Sequence, residues 1–492
     1  MPVYPVVLAG VIVISAYLDS DVSVHAAVRP FLLVVAAAGL LVALAAWLLG
    51  PTRGPIVATM AILIVRSGDL VHAAIAALLV ALVAYTWVLG RRFLPWLERM
   101  RNPNPVLNGL SLVLLGSTLV TAGITGTLGR IDLGQGRPFA TAVAAASAAG
   151  QSHPGRPDIY VILLDGYPRA DTLERLFQFD NAPFLSDLAE RGFEVAAQSR
   201  SNYMYTAMSF TSILQMRYVQ EIAGTVGVGT PYGASLRSLI NHNPAWDVLR
   251  SRGYLVAANQ APWETVAMRE ADLFCGEQIN DFELYLLRAT LVGSVVDAVN
   301  PSFPAEQHRD VVNQAFDCLG EMSAVTDSPK FVWTHVGAPH LPVVFTRSGG
   351  AAGLEVFGHT RQELQVTDQQ FASAYTEEIQ YLNRRVLEAV DRLVQRPDAP
   401  IVIVMSDHGS ESRLDWADAS RSDLQERFSN LFAARTPART ALFPDDTTPV
   451  NLFPLLFDAY FGESIPVHEA RFFLSPTDNK LDFTEIPDPA PP

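Results

Sequence analysis

Five apolar segments lie within the first 128 residues of the chain, and they constrain its fold more than any other feature. They cover roughly residues 3–18, 30–49, 55–65, 70–89 and 106–128. The second, fourth and fifth can each cross a bilayer, which takes about 20 residues of helix. The first and third are shorter, so each is either a tilted span or a re-entrant piece. Because backbone in lipid must satisfy its own hydrogen bonds, we predict an α-helical membrane domain of about five spans over residues 1–128.

Arginines set the predicted orientation of this domain. The loop between the fourth and fifth segments carries Arg91, Arg92, Arg99 and Arg101, and such loops stay on the cytoplasmic side. Counting back places the N-terminus in the cytoplasm and the acidic residues 19–21 outside. The first segment lacks the basic start and cleavage site of a signal peptide, so it is predicted to remain as an anchor. The chain after the fifth segment is then extracytoplasmic, attached to the cell membrane.

The remaining sequence divides into a linker and a large domain. Residues 129–157 are rich in Ala, Gly and Ser and predict a linker or juxtamembrane segment, and residues 158–492 form the domain and a C-terminal tail. The formal net charge is −15, and the lack of a basic face argues against a nucleic-acid partner. The two cysteines are Cys275 and Cys318. Outside the cytoplasm they can form a disulfide, and two buried free thiols are the alternative.

Strand-like and helix-like stretches alternate through residues 158–492. Strands are predicted for the apolar run before Asp165 and for residues 254–257, 331–335 and 401–405, and helices for residues 182–191 and 371–394. Alternation of this kind is typical of an α/β domain with a mainly parallel central sheet.

Two of these strands run directly into acidic side chains. In the stretch IVIVMSDHG at residues 401–409, the apolar run is followed by Asp407 and His408. In the stretch YVILLDG, the apolar run is followed by Asp165. At the carboxyl ends of parallel strands such side chains face a crevice. Carboxylates beside a neutral imidazole favour a divalent cation such as Zn or Mn. An Asp that caps a helix beside an incidental His is the alternative for the Asp-His pair.

Thr206 lies where a helical pattern begins, in the stretch SRSNYMYTAMSFTSIL. The free amides of a helix N-terminus favour an anion, and a cation on the hydroxyl oxygen would favour the alkoxide. Thr206 is therefore a candidate nucleophile, and a helix-capping Thr is the alternative. The stretch FVWTHVGAPH adds His335 and His340 at the end of another predicted strand. His340 lies beyond that strand, where a substrate would be.

The order of four motifs along the chain resembles that of the alkaline phosphatase and sulfatase superfamily. The motifs are Asp165, the Ser-Asn-Tyr triplet before Thr206, the HVGAPH stretch and the Asp-His-Gly triplet. Apolar spans followed by an outward domain are similar to the layout of lipoteichoic acid synthases and lipid A phosphoethanolamine transferases. The resemblance covers the layout of the whole chain and implies an alkaline phosphatase-like fold for the outward domain.

The resemblance also implies roles for individual residues. The metal would be one divalent ion, Mn or Zn, with a second ion as an open alternative, and its ligands would be Asp165, Thr206, Asp407 and His408. Thr206 would form a covalent phospho-enzyme, and His340 would contact the phosphoryl group or protonate the leaving group. The predicted substrate-binding residues are His335, Asn202, Trp263 and Arg269. Packing is the alternative role for Trp263, and a solvated charge is the alternative for Arg269.

Two departures from the family patterns bear on the reaction. The lipid-dependent transferases have Glu where this chain has Asp165, and neither cysteine lies in the C/S-x-P-x-R motif of sulfatases, which argues against sulfate ester hydrolysis. The resemblance implies transfer of phosphoglycerol or phosphoethanolamine from a membrane phospholipid to a glycan or glycolipid of the cell envelope. A membrane-anchored phosphodiesterase or phosphatase would use the same residues. A non-catalytic envelope scaffold is the third hypothesis.

Overall fold

The chain forms two compact units in a computed structural model. The structure describes residues 2–66 apart from 19, 21 and 52, residues 104–124, and residues 156–489 apart from 223–231, 277, 326–328, 398, 417, 419–420 and 477–479. One unit, called here the apolar unit, comprises Met1–Leu133 and Ile279–Phe303. The other, called the sheet unit, comprises Gly134–Gln278 and Pro304–Pro492.

The apolar unit is helical. Its described helices are α1 (Tyr4–Leu18), α2 (Val24–Leu49), α3 (Arg53–Arg66), α4 (Asn104–Ile124), α11 (Asp281–Arg288) and α12 (Leu291–Val299). Helix α2 has 26 residues and exposes large apolar side chains such as Leu40 and Trp47 along its length. Such exposure is expected of a helix whose surroundings are lipid.

The number of clear spans is smaller than the sequence predicts. Among the described residues, α2 alone is long and apolar enough to cross a membrane, and α1, α3 and α4 contain shorter apolar stretches of 10 to 17 residues. Five spans are predicted, and only one is clear among the described residues. The first and third segments form helices of only 15 and 14 residues. The predicted fourth span at residues 70–89, the four loop arginines and nearly all of the linker lie outside the described residues.

A seven-stranded sheet organises the sheet unit. Its order is β2-β7-β6-β1-β5-β3-β4, with β1 in the centre, parallel to both β5 and β6. Strands β3 and β4 continue the parallel part, and β7 and β2 form an antiparallel edge. A separate pair joins β8 to β9. The strands are β1 (Ile159–Leu164), β2 (Glu194–Val195), β3 (Leu255–Asn259), β4 (Leu273–Cys275), β5 (Lys330–Val336), β6 (Ile401–Met405), β7 (Phe432–Arg435), β8 (Phe472–Leu474) and β9 (Thr484–Ile486).

Continuous apolar runs explain the centre of this sheet. Every residue of β1, β5 and β6 is buried, as expected of strands covered on both faces. The predicted strand 401–405 has the observed bounds, the one at 331–335 lies within β5, and the one at 254–257 overlaps β3. The mainly parallel sheet is thereby confirmed. The sequence did not predict β2, β4 and β7, which have two to four residues each and too little pattern to be recognised.

Helices cover both faces of the sheet and build two apolar cores. The predicted helix 182–191 is observed, and the one at 371–394 begins three residues earlier because Thr367 and Gln370 form a capping box. The described α-helices of this unit are α5 (Ala170–Phe177), α6 (Ala182–Glu190), α7 (Thr206–Gln215), α8 (Val219–Ile222), α9 (Tyr232–Asn241), α10 (Pro244–Ser251), α13 (Phe303–Ala324), α14 (Asp368–Val394), α15 (Leu424–Phe428) and α16 (Leu452–Phe461).

The two cysteines form a disulfide. Cys275 at the end of β4 is bonded to Cys318 in α13, 43 residues later in the chain. Of the two alternatives left open by the sequence, the disulfide is the one observed. Helices α11 and α12 lie in the chain between these two cysteines.

Candidate active site

The central strands bring three of the predicted metal ligands together. Asp165 follows β1 directly, and Asp407 and His408 follow β6 after a single serine. Since β1 and β6 are parallel neighbours, their carboxyl ends meet at one edge of the sheet. All three side chains are fully buried, and one ligand atom from each lies within 4.8 Å of the others.

Hydrogen bonds and one glycine fix the turn after β6. The Ser406 hydroxyl accepts a bond from the Tyr167 amide at 2.9 Å and donates to the His408 carbonyl at 2.6 Å. Gly409 lies so close to α15 that a Cβ there would be 2.0 Å from the Glu426 carbonyl oxygen. The glycine of the Asp-His-Gly motif is thus required by a close approach of two backbones.

Thr206 is the first residue of α7, as the sequence predicts, and its hydroxyl points at the ligand cluster. Its Oγ1 lies 3.1 Å from His408 Nε2 and 3.4 Å from Asp165 Oδ2. The free amides at the start of α7 favour negative charge beside this oxygen. A hydroxyl, two carboxylates and an imidazole therefore converge on one point.

The protonation of His408 suits a metal ligand. Its Nδ1 lies 2.9 Å from the Gly409 carbonyl oxygen, a contact that assigns the proton to Nδ1. The Nε2 lone pair then faces Asp407 Oδ2 at 3.1 Å and Asp165 Oδ1 at 3.6 Å. Burial, reinforced by Arg427 and His340, lowers the pKa of His408 well below its usual value, so the ring is neutral.

Neither carboxyl group has a lysine or arginine ion-pair partner among the described residues. Burial raises the pKa of Asp165 to about 6. Burial and then the proximity of Asp165 raise the pKa of Asp407 to about 7. Within the described residues, Asp165 Oδ1 and Asp407 Oδ2 have no hydrogen-bond donor although both are buried. Buried acceptors that face a neutral imidazole fit a divalent cation, and the donor set of oxygen and nitrogen suits Zn or Mn.

His335 contacts Asp165. It lies on β5, and its Nε2 donates to Asp165 Oδ2 at 2.9 Å. Burial lowers the pKa of His335 to about 4, so a neutral ring makes this bond. The geometry fits a residue that orients a ligand carboxylate, a common arrangement around metal sites.

His340 and Trp263 lie together beside the cluster. The His340 amide donates to the Asp165 carbonyl at 2.9 Å, and its Nδ1 donates to the Leu341 carbonyl at 2.8 Å, which leaves Nε2 for acid–base chemistry. The Trp263 and His340 ring centroids are 4.8 Å apart, and those of His340 and His408 are 6.2 Å apart. The structure therefore places both predicted residues at the site.

The side chains of two other predicted residues, Asn202 and Arg269, make contacts outside the ligand cluster. The Asn202 amide group donates to the Arg471 carbonyl at 3.0 Å, and its oxygen accepts from the Val450 amide at 3.2 Å. Arg269 pairs with Glu264 and lies over the Phe274 ring, 5.1 Å from its centroid. These contacts tie loops together, and none of them involves the ligand cluster.

Arg427 is a site residue that the sequence did not single out. It is buried, its Nη2 lies 3.2 Å from His408 Nε2, and it donates to the Met204 carbonyl at 2.6 Å and the Gly409 carbonyl at 3.2 Å. It links the loop before Thr206 to the loop after His408. It lies in α15, a helix of five residues with no recognisable motif, so no signal marked it.

No family model matches this chain, and no curated protein is similar to it in sequence. Several solved structures are distantly similar. The integral membrane lipooligosaccharide phosphoethanolamine transferase A (EptA) of Neisseria meningitidis is 15% identical, with 80% of this chain and 68% of that chain covered and a TM-score of 0.40.

Two periplasmic domains are similar at the same level. The C-terminal periplasmic domain of EcEptC from Escherichia coli, in complex with Zn, is 11% identical, with 65% and 90% of the two chains covered and a TM-score of 0.42. The corresponding domain of phosphoethanolamine transferase EptC from Campylobacter jejuni is 12% identical, with 62% and 90% covered and a TM-score of 0.41. Likenesses with these TM-scores carry neither a family nor an activity over to this chain, so any activity has to be inferred from the site.

Proposed function

We propose that this protein transfers a substituted phosphate, phosphoglycerol or phosphoethanolamine, from a membrane phospholipid to a glycan or glycolipid of the cell envelope. One observation carries the proposal. The Thr206 hydroxyl, at a helix N-terminus, lies 3.1 Å from His408 and 3.4 Å from Asp165, in a cluster whose two buried carboxylates have no lysine or arginine ion-pair partner among the described residues. Asp165, Asp407 and His408, with Thr206, would hold a divalent ion whose charge favours the alkoxide of Thr206.

The reaction has two steps. Thr206 Oγ gives its proton to solvent and forms a bond to the phosphorus of the lipid, while the bond from phosphorus to the diacylglycerol oxygen breaks. His340 gives that leaving oxygen a proton. In the second step an acceptor hydroxyl returns a proton to His340 and forms its own bond to phosphorus. The bond to Thr206 then breaks, and the threonine takes up a proton again.

The membrane arrangement belongs to the same proposal. Five spans with a cytoplasmic N-terminus would hold the sheet unit outside the cell, close to the head groups of its donor. Helix α2 supports this proposal by its length and composition. Anchoring would raise the local concentration of a lipid donor at the enzyme.

A head-group transfer assay tests the proposed reaction. Full-length protein in vesicles with head-group-labelled phosphatidylglycerol or phosphatidylethanolamine should become labelled at Thr206 and then pass the label to an added glycolipid. Thr206→Ala should abolish labelling, and Thr206→Ser should retain part of it, because the serine keeps the hydroxyl. Release of the label only as free head-group phosphate would replace the transferase with the hydrolase. Unchanged turnover in Thr206→Ala would remove Thr206 as nucleophile.

A further inference from the structure

Helices α11 and α12 belong to the apolar unit although they lie far from it in sequence. Both ends of this segment continue into the sheet unit, since β4 ends at Cys275 and all but the first residue of α13 belongs to that unit. Its contacts are nevertheless with the N-terminal helices. Helix α11 packs against α2, and α12 packs against α3.

Specific contacts fix α11 to the loop side of α1 and α2. Phe282 is 2% exposed and packs with Val13, Ala26 and Ala27. The Asn280 side chain donates to the Ala26 carbonyl at 3.3 Å, and Glu283 makes a two-pronged ion pair with Arg29. Ala26 and Arg29 are in the first two turns of α2, so the segment covers the end of a helix that is long enough to span.

The outer surface of the segment is apolar. Val292, Val295 and Val299 recur at helical spacing on α12 and are 46%, 53% and 80% exposed. On α11, Tyr285 is 56% exposed. Within the described part of the chain these three valines remain exposed, and lipid would cover them.

The turn between the two helices is tight. A Cβ at Gly293 would lie 2.4 Å from the Leu287 carbonyl oxygen, so only glycine permits α12 to approach the end of α11 this closely. A cavity of about 240 Å³ opens beside α11, lined by Ala16, Ser20, Val22, Asp281, Phe282 and Tyr285. Apolar and polar side chains both line this cavity, as expected at the boundary between acyl chains and head groups.

We propose that α11 and α12 form an interfacial helix pair that lies in the outer head-group layer of the bilayer, with Val292, Val295 and Val299 in contact with lipid. The partner is the bilayer itself, because the pair packs against α2, which is long enough to span it, and against α3. The polar residues of the pair, among them Arg288 and Asp297, would remain in the hydrated layer. This inference does not depend on the proposed reaction.

Spin labels test the proposal in the intact protein. Because both native cysteines are in a disulfide, an introduced cysteine is the only free thiol. Val295→Cys and Val299→Cys, labelled with a nitroxide in vesicles, should collide several-fold more often with oxygen than with a water-soluble nickel complex, relative to Asp297→Cys as the matched control on the same helix. Glu283→Gln, which weakens the ion pair with Arg29, should shift the label at residue 299 toward the nickel complex.

Two results would overturn the proposal. A label at residues 295 and 299 that collides with nickel as often as the one at residue 297 would place the stripe in water. A label that is immobile and shielded from both reagents would mean that protein covers the stripe. A failed transfer assay with lipid-exposed labels would count against the proposed function alone.

Discussion

The two ends of strand β1 each carry a fully buried aspartate, and the surroundings of the two differ. At the start, the Asp158 carboxylate forms an ion pair with Lys330 Nζ at 2.7 Å and lies 3.4 Å from the Arg396 guanidinium. At the end, Asp165 faces Asp407 and His408, and among the described residues no lysine or arginine pairs with either carboxylate. The chain itself supplies cations at one end, and at the other end the proposed divalent ion would supply the positive charge.

This difference separates a structural charge from a functional one. A buried charge that is already paired holds the chain together and has no capacity left for a ligand. A pair of buried carboxyl groups without a cationic partner destabilises the folded chain, which makes it a candidate binding site. Changes at the two ends should therefore have different consequences.

The largest expected effect is on activity at the Asp165 end. Asp165→Asn should lower turnover by about 10³-fold or more, because it removes a proposed metal ligand that lies 3.4 Å from the proposed nucleophile, Thr206. The same variant should raise the melting temperature of the metal-free protein at neutral pH, since it removes a charge that burial disfavours. Turnover and melting with and without a chelator measure both. A metal-free variant that melts lower than the parent protein would contradict the comparison.

The next effect is on stability at the Asp158 end. Lys330→Met should cost about 3–5 kcal/mol, because Asp158 is left buried without its nearest cation. Per folded molecule, turnover should be unchanged. Denaturant unfolding measures the loss, and the double variant with Asp158→Asn should recover part of it as the matched control. A loss of metal content in folded Lys330→Met protein would show that the two ends are not independent.

The third effect is the pH dependence of the metal-free protein. The unfolded chain ionises its aspartates near their ordinary values, while the folded pKa values of Asp165 and Asp407 are raised to about 6 and about 7. Between about pH 4 and about pH 7 these two aspartates bind more protons in the folded state than in the unfolded state, so their contribution to stability falls as pH rises. Bound Zn or Mn should remove this contribution. Melting temperatures across the range test it, and the parent protein should lose more stability over this range than the Asp165→Asn/Asp407→Asn control.

The smallest effect concerns the residues around the cluster. Trp263→Ala should reduce turnover by up to about tenfold, because an aromatic contact that holds the His340 ring is worth about 0.5–1.5 kcal/mol. Trp263→Phe keeps a ring and should recover most of the rate. An effect as large as that of Asp165→Asn would give Trp263 a direct role in binding the substrate.

The sequence predicted the features that local patterns encode. Continuous apolar runs marked β1, β5 and β6, and the acids at their ends followed from the rule that parallel strands deliver side chains to one edge. Thr206 was placed at a helix start by the periodicity that follows it. These are the parts of the site where local sequence and tertiary position agree.

Long-range packing accounts for what the sequence did not predict. Arg427 reaches His408 only because α15 packs against the Gly409 backbone, and no spacing in the chain reveals that approach. The contacts of Asn202 depend on loops that meet from distant positions in the chain. The sequence did not predict the interfacial helix pair, because its apolar residues are divided between two short helices. Patterns this short cannot be told apart from those of ordinary surface helices.

The disulfide between Cys275 and Cys318 brackets the segment that contains α11 and α12. The chain leaves the sheet unit after Cys275 and re-enters it before Cys318, and the disulfide joins these two points. The length and composition of the inserted segment can therefore change while β4 keeps its register on β3. Changes in the inserted segment could thus adapt the protein to membranes of different thickness or head-group charge. The edge of the sheet that carries the ligand cluster would stay the same.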